Sequence, residues 1–296
     1  MKVLSLFDGI SCGMVALTRG GHRVDRYVAY EIEPNAIKIS KKNYPEIEHM
    51  GDVTTADFTQ YKGFDLLIGG SPCTYWSIAK NGRETTPDGM GGKLFMEFVR
   101  ALRESECRYF LYENNNSIHQ NIKDFISEQL GVQPIMINSA LVSAQQRKRC
   151  YWTNIPGICQ PEDNGILLKD ILESGISWQD KSYCMTASYN GAVFWNTMQR
   201  SQRSMIAEPI RIGQYGNGGQ GQRIYSVRGK SVTLSANGGG QGAKTGLYKI
   251  DLPDGDYIIR KLTPVEAERF ADSPGQLHRG NIQNAEIQVH RKRLDC

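Results

Sequence analysis

The chain has 296 residues, of which 40% are hydrophobic and 22% charged. That composition describes a globular chain able to bury a sizeable core, as one large domain with a smaller lobe, and excludes a disordered or fibrous one. A formal net charge of +4 permits a nucleic-acid partner without requiring it. The seven cysteines show no C-x-x-C pairing, which argues against a metal cluster or disulfide framework and for a reducing cytoplasm. The start, MKVLSLFDGISCG, carries one lysine and an apolar run broken at Asp8 and Gly9. It reads as a buried strand rather than an export signal, and no apolar run approaches membrane-spanning length.

In chain order, residues 2–7 predict a strand ending at a glycine turn, and 14–20 a helix. Residues 28–33 predict a second strand, and 34–43 a helix opened by Pro34. A GDV turn at 51–53 precedes a buried strand at 64–70. Residues 94–105 have helical periodicity, 108–114 look like a strand, and 121–131 predict a helix ended by Gly131. Strands alternating with helices over residues 1 to 160 predict a doubly wound α/β domain with its ligand beyond the carboxyl ends of the strands. After residue 185 the composition shifts. Glycine-rich stretches between 211 and 246 interleave with IYSVRGKSVTLS and with Arg211, Arg223, Arg228, Lys230 and Lys244. A compact, loop-rich basic lobe fits this pattern better than a linker, because glycine admits close backbone approach and basic side chains meet phosphates.

The chemistry-bearing residues fall at the predicted strand ends. F-D-G-I-S-C-G at 7–13 is not the dinucleotide fingerprint G-x-G-x-x-G, but it has the same placement of strand, tight glycine turn and helix. Glu31 follows about 20 residues later, where an acid can accept bonds from ribose hydroxyls. In G-G-S-P-C-T-Y-W-S at 69–77 a proline fixes the backbone before Cys73, just beyond a buried strand. A thiolate nucleophile needs that rigid placement. Glu113 ends an apolar strand, where a carboxylate is costly unless paired. Arg147 and Arg149 alternate about Lys148, so an extended backbone puts both on one face.

FDGISCG, Glu31, Asp52-Val53, GGSPC, Glu113-Asn114, Q-x-R-x-R at 145–149 and R-K-L-T-P-x-E at 260–266, in this order, resemble the motifs of the DNA (cytosine-5)-methyltransferase family. The wording is nearest the branch containing the eukaryotic de novo methyltransferases, and a bacterial or phage modification enzyme is expected. The resemblance implies a Rossmann-like, S-adenosylmethionine-dependent sheet with a smaller loop-rich target-recognition lobe. It implies a catalytic domain over 1–185, target recognition over 186–259 and a return to the catalytic domain at 260–269. By the same resemblance, Cys73 adds to C6 of a flipped cytosine and Glu113, as a protonated acid, holds the N3/N4 edge. Arg149 lies near O2 with Arg147 supporting it. Phe7, Asp8, Gly9, Ile10, Ser11, Cys12, Glu31, Ile32, Asp52, Val53 and Pro72 are implied to hold S-adenosylmethionine. Ser77, Arg228, Thr233 and Leu234 are implied to meet double-stranded DNA. A separate cognate restriction endonuclease is a possible partner, and no metal or membrane is expected.

Two departures stand out. Motif E-N-V reads Glu113-Asn114-Asn115, a mild change because the valine is not the chemical group. After residue 269 the family continues with a proline loop, a G-N-x-W-like motif and a closing helix, whereas this chain gives FADSPGQLHRGNIQNAEIQVHRKRLDC. Codons for 270–296 exist whose neighbouring frame reads LQTLPDNYTAGISKTRRYKCIGNGWT, so this tail is expected to be a shifted-frame product that lacks the last cofactor-contacting segment. The alternatives are an RNA cytosine-5-methyltransferase, an inactive DNA- or cofactor-binding pseudo-enzyme and, more distantly, a nucleotide-fold dehydrogenase.

Overall fold

The structure, a computed structural model, describes residues 1–78, 80–173, 177–185, 189, 191–209, 224–226, 247–252, 255–263, 265–266 and 269. Arg228, Thr233, Leu234 and the tail 270–296 lie outside the described residues.

The chain forms two compact units. Among the described residues, the first comprises 1–139 and 147–162, and the second 140–146 and those from 163 onward. The first is built on a seven-stranded sheet of β1 (Lys2–Leu6), β2 (Arg26–Tyr30), β3 (Glu48–His49), β4 (Leu66–Gly69), β5 (Tyr109–Asn115), β6 (Ile135–Asn138) and β7 (Lys148–Thr153). Its order is β3-β2-β1-β4-β5-β7-β6. The strands from β3 through β5 are parallel, and β7 pairs antiparallel with both β5 and β6. The chain reverses direction across the sheet at β1, a topological switch point of the kind that opens a ligand crevice.

β1 reads as an apolar run because both of its faces are covered. Leu4 and Leu6 join Val28, Leu67, Phe95, Phe98, Phe110 and Trp152 in one cluster, while Val3 joins Tyr27, Ala29 and Leu66 in another. The helices are α1 (Cys12–Arg19), α2 (Pro34–Asn43), α3 (Met90–Ser105) and α4 (Gln120–Leu130). Pro34 sits in the first turn of α2, and Gly131 closes α4 at φ 68°, a conformation glycine adopts without Cβ strain. Gly13 brings α1 onto the sheet, since a Cβ there would stand 2.2 Å from Ile68 Cδ1 and 2.7 Å from Tyr27 Oη.

In the second unit α5 (Leu168–Ile171) and α6 (Phe194–Arg200) accompany a four-stranded sheet. Its order is β8 (Met205–Pro209), β11 (Gly255–Lys261), β10 (Leu247–Leu252), β9 (Ile224–Ser226). Residues 163–185, expected with the catalytic domain, belong to this unit instead. The reason is local: Lys181 Nζ donates to the carbonyls of Ala140, Ser143 and Ile166, and Ser182 pairs with Ala144 and Gln146 through the backbone. Among the described residues no helix is long and apolar enough to cross a membrane.

Candidate active site

Three strand ends of the first unit carry the expected motifs. After β1 the chain turns through Phe7, Gly9 and Ser11, all at positive φ (55°, 59° and 63°). Gly9 N–H donates to Glu31 Oε2 at 2.6 Å, and the amides of Ile32 and Glu33 donate to Glu31 Oε1 at 2.9 Å. Glu31 therefore ties the turn after β1 to the end of β2. Beside it Ile32 is 70% exposed, an apolar surface left open at the crevice. Asp52, at the third strand end, is exposed and caps a short 3-10 turn by accepting from the amide and hydroxyl of Thr54. Val53 is buried.

Two side chains expected toward a cofactor are turned inward. Ile10, 1% exposed, packs against Ala36 and Ile39 of α2. Asp8, also 1% exposed, accepts from Ser5 Oγ, Tyr27 Oη and Ser11 Oγ. The left-handed residues on both sides of Asp8 re-aim the turn, which alternation along a strand does not foresee. Phe7 and Cys12 are partly buried.

Beyond β4, Pro72 (φ −53°) opens a 3-10 turn over Cys73–Tyr75. Cys73 is 1% exposed, and its carbonyl accepts from the amides of Trp76 (2.9 Å) and Ser77 (2.8 Å). Ser77, expected at a DNA surface, is thereby buried at 8% exposure. The approach to this turn is held from β5. Asn114 Nδ2 donates to Ser71 O at 3.3 Å and to Tyr112 Oη at 3.2 Å, while Ser71 Oγ and Tyr112 Oη are 2.6 Å apart. Tyr112 is fully buried against Phe95, Phe98 and Trp152, and burial pushes its phenol well above the usual tyrosine range. Tyr112, Asn114 and Ser71 had no assigned part in the sequence reading. The alternating burial of β5, with 110, 112 and 114 inward and Glu113 on the opposite face, is the signal that marks them. Asn114→Ala is expected to leave Ser71 O without its amide partner, costing about 1–3 kcal/mol, and to lower methyl transfer; thermal melting and initial rates check it.

Glu113 meets Arg149 across the antiparallel β5–β7 pair. In register Glu113 opposes Tyr151 and Asn115 opposes Arg149, so Glu113 and Arg149 are diagonal neighbours on one face. Arg149 Nε stands 2.7 Å from Glu113 Oε1, with side-chain exposures of 7% and 30%. The two atoms are close but off the hydrogen-bond axis, and neither has an aligned hydrogen-bond partner among the described residues. Arg149 also donates from Nη1 to Lys148 O. The Tyr151 phenol is pushed up to about 12, first by burial and then by Glu113, with Arg149 and Arg147 acting against the rise. A Cβ on Gly70 would stand 2.8 Å from Glu113 O and 3.2 Å from Glu113 Oε2, so the segment leading to Cys73 runs directly beside this acid.

The segment after Cys73 folds back onto α3. Glu84 accepts from the amides of Met90 and Gly91, a carboxylate at a helix N-terminus. A Cβ on Gly91 would stand 2.3 Å from Trp76 Nε1, and one on Gly92 would stand 1.7 Å from Pro87 O. Gly92→Ala is therefore expected to force this segment off α3 and to cost about 1–3 kcal/mol as overpacking; urea unfolding measures it.

Among the described residues no group of three or more His, Cys, Asp or Glu side chains is arranged to hold a metal. The β1 turn, the oriented Glu31 carboxylate, the exposed Ile32 and the exposed Asp52 fit a nucleoside, with ribose hydroxyls, an apolar base face and a polar base edge.

Comparison with known proteins accords with this geometry. Residues 1–276 match the family described as C-5 cytosine-specific DNA methylase. The orphan methyltransferase M.Rho11sI of Bacillus phage rho11s is 25% identical over 94% of this chain and 68% of its own. The type II methyltransferase M.HhaI of Haemophilus parahaemolyticus is 26% identical over 93% of this chain and 84% of its own. Among solved structures, S. pombe Dnmt2 shares the fold at TM-score 0.58 and 15% identity, covering 100% of this chain and 94% of its own. A Spodoptera frugiperda DNMT2 mutant does so at TM-score 0.62 and 14% identity, covering 99% and 97%. With its family match running through the turn after β1, the Cys73 turn and the Glu113–Arg149 pair, the chain belongs to the C-5 cytosine-specific DNA methylase family.

Proposed function

We propose that this chain transfers a methyl group from S-adenosylmethionine to C5 of a cytosine flipped out of duplex DNA, through a covalent Cys73–C6 adduct. The observation that carries the reading is the Glu113–Arg149 ion pair, 2.7 Å between Nε and Oε1, beside the segment that delivers Cys73. S-Adenosylmethionine, when bound, supplies an electrophilic methyl group. Glu31, Ile32, Asp52, Val53 and the backbone of Phe7–Cys12 are the residues that would hold it, with Pro72 alongside. Asp8 and Ile10 shape that turn from within, as their inward placement suits.

Neutral cytosine is a poor carbon nucleophile at C5. Addition of the Cys73 thiolate to C6 makes C5 enamine-like and able to take the methyl group. Glu113 addresses the N3/N4 edge and stabilises charge developing in the ring, and Arg149, supported by Arg147, addresses O2. Loss of the C5 proton then expels the thiolate and restores the ring. C6 of a base stacked in a duplex is shielded by its neighbours, and flipping brings it within reach of a protein nucleophile. Arg228, Thr233 and Leu234 remain the proposed DNA contacts, and residues 270–296 are proposed to derive from a shifted frame.

Transfer of tritiated methyl groups from S-adenosylmethionine to mixed-sequence duplex DNA, with tRNA in parallel, tests this. Label in the duplex alone supports the reading, and label in tRNA alone sinks it in favour of an RNA enzyme. Silence on both that persists after the frame of 270–296 is restored favours a binding-only protein.

A further inference from the structure

Behind the turn after β1, side chains from several elements form one chain of hydrogen bonds. Asp8 Oδ1 accepts from Ser5 Oγ (2.6 Å) and Tyr27 Oη (2.7 Å), and Oδ2 accepts from Ser11 Oγ. Ser11 Oγ also lies 2.5 Å from Ser40 Oγ on α2, and Ser40 Oγ lies 3.0 Å from His49 Nε2 at the end of β3. Ser11 and Ser40 are 0% exposed.

Counting protons gives the chain a direction. Three hydroxyl donors on Asp8 call for a carboxylate, which has no proton to return. Ser11 spends its one proton on Asp8, so it must accept from Ser40. Ser40 spends its one proton on Ser11, so it must accept from His49. His49 is therefore the Nε2–H tautomer, and the run reads His49 to Ser40 to Ser11 to Asp8. Consistently, Nδ1 is left as a buried lone pair with no partner among the described residues.

We propose that Ser40 and His49 are positioning residues for cofactor binding, holding the Phe7–Ser11 turn in its receptive conformation through Ser11 and Asp8. This rests on the cofactor reading given above. The turn needs such support, because Phe7 and Ser11 carry side chains at φ 55° and 63°, a conformation that is costly for any residue with a Cβ. The same turn donates Gly9 N–H to Glu31, and His49 precedes the Asp52 turn by three residues. One chain thus links the three strand ends that would hold the two ends of the cofactor. Neither residue belongs to a motif that the sequence reading singled out.

The charged groups around His49 are Asp8 and Glu31, which favour its protonation, and Lys41 on α2, which opposes it; burial outweighs them and lowers its pKa below 6.5. The unfolded chain therefore takes the proton first. Stability from neutral His49 is full above pH 6.5 and is lost as pH falls from there toward the lowered folded value.

Binding of S-adenosylhomocysteine to the full chain by titration calorimetry tests the proposal. Ser40→Ala and His49→Phe are expected to weaken it roughly five- to tenfold, the scale of one lost hydrogen bond. His49→Gln places an amide N–H near the former Nε2 and is expected to restore affinity to within about twofold, while removing the loss of thermal stability below pH 6.5. If folded Ser40→Ala and His49→Phe bind as tightly as the unmodified chain, the proposal is overturned. It is equally overturned if His49→Gln binds as weakly as His49→Phe, which would reduce His49 to packing. Should Ser40→Ala fail to fold, the Gln and Phe pair decides alone. Failure of both the unmodified chain and the chain with the frame of 270–296 restored to bind would overturn the cofactor reading itself and this inference with it.

Discussion

Cys73→Ser is expected to abolish methyl transfer to duplex DNA while leaving the fold and S-adenosylhomocysteine binding in place. Serine nearly matches the volume of a residue that is 1% exposed, and the 3-10 turn is closed by the Cys73 carbonyl rather than by its side chain. What is lost is the proposed nucleophile. A serine hydroxyl at neutral pH is a far weaker attacker than a thiolate, and losing a member of a covalent catalytic unit costs on the order of 10⁴- to 10⁶-fold in kcat. A second readout is a duplex carrying 5-fluorocytosine. Fluorine at C5 does not leave as a proton does, so the unmodified chain should form an adduct stable to denaturing electrophoresis and Cys73→Ser should form none. Adduct formation by the serine variant would move the nucleophile elsewhere.

Glu113→Gln is expected to lower kcat by about 10²- to 10⁴-fold, the range for a positioned acid or base, and also to destabilise the protein. The shape is retained, but the amide no longer compensates the charge of Arg149, which is 7% exposed. Leaving one member of a buried pair unmatched costs about 3–5 kcal/mol, and the 30% exposure of Glu113 argues for the lower end of that range. Initial rates and guanidinium unfolding separate the two effects, because a purely structural role predicts lost stability with kcat intact per folded molecule. Cofactor binding should be spared, since Glu31 and the turn after β1 belong to other strand ends.

Local sequence was sufficient for β1, β2, β4 and β5 and for α1 through α4. Each is long enough, and apolar with a regular enough period, to announce itself, and Pro34 and Gly131 mark their ends by backbone chemistry alone. The β6–β7 hairpin was not foreseen as a pair of strands. Ile135–Asn138 is short, and Lys148–Thr153 is interrupted by the charged residues it brings to the site. β3 has two residues and no pattern to show.

The same division holds at the site. Cys73, Glu31 and Glu113 were placed by a simple rule, polar residues just past an apolar strand in a doubly wound sheet. That Glu113 needed a partner followed from the cost of burying a carboxylate. Which residue answers it did not follow, because the diagonal with Arg149 exists only through the antiparallel register of β5 and β7. Sequence by itself determined the family, the parallel α/β frame and the residue types at the strand ends, because these depend on local period and on residue type. Tertiary structure alone decided that Asp8 and Ile10 turn inward, that Asn114 and Tyr112 carry the Cys73 turn, and that His49 reaches Asp8 through two serines. Those outcomes depend on positive φ angles and on strand register, which bring together residues that no spacing along the chain connects.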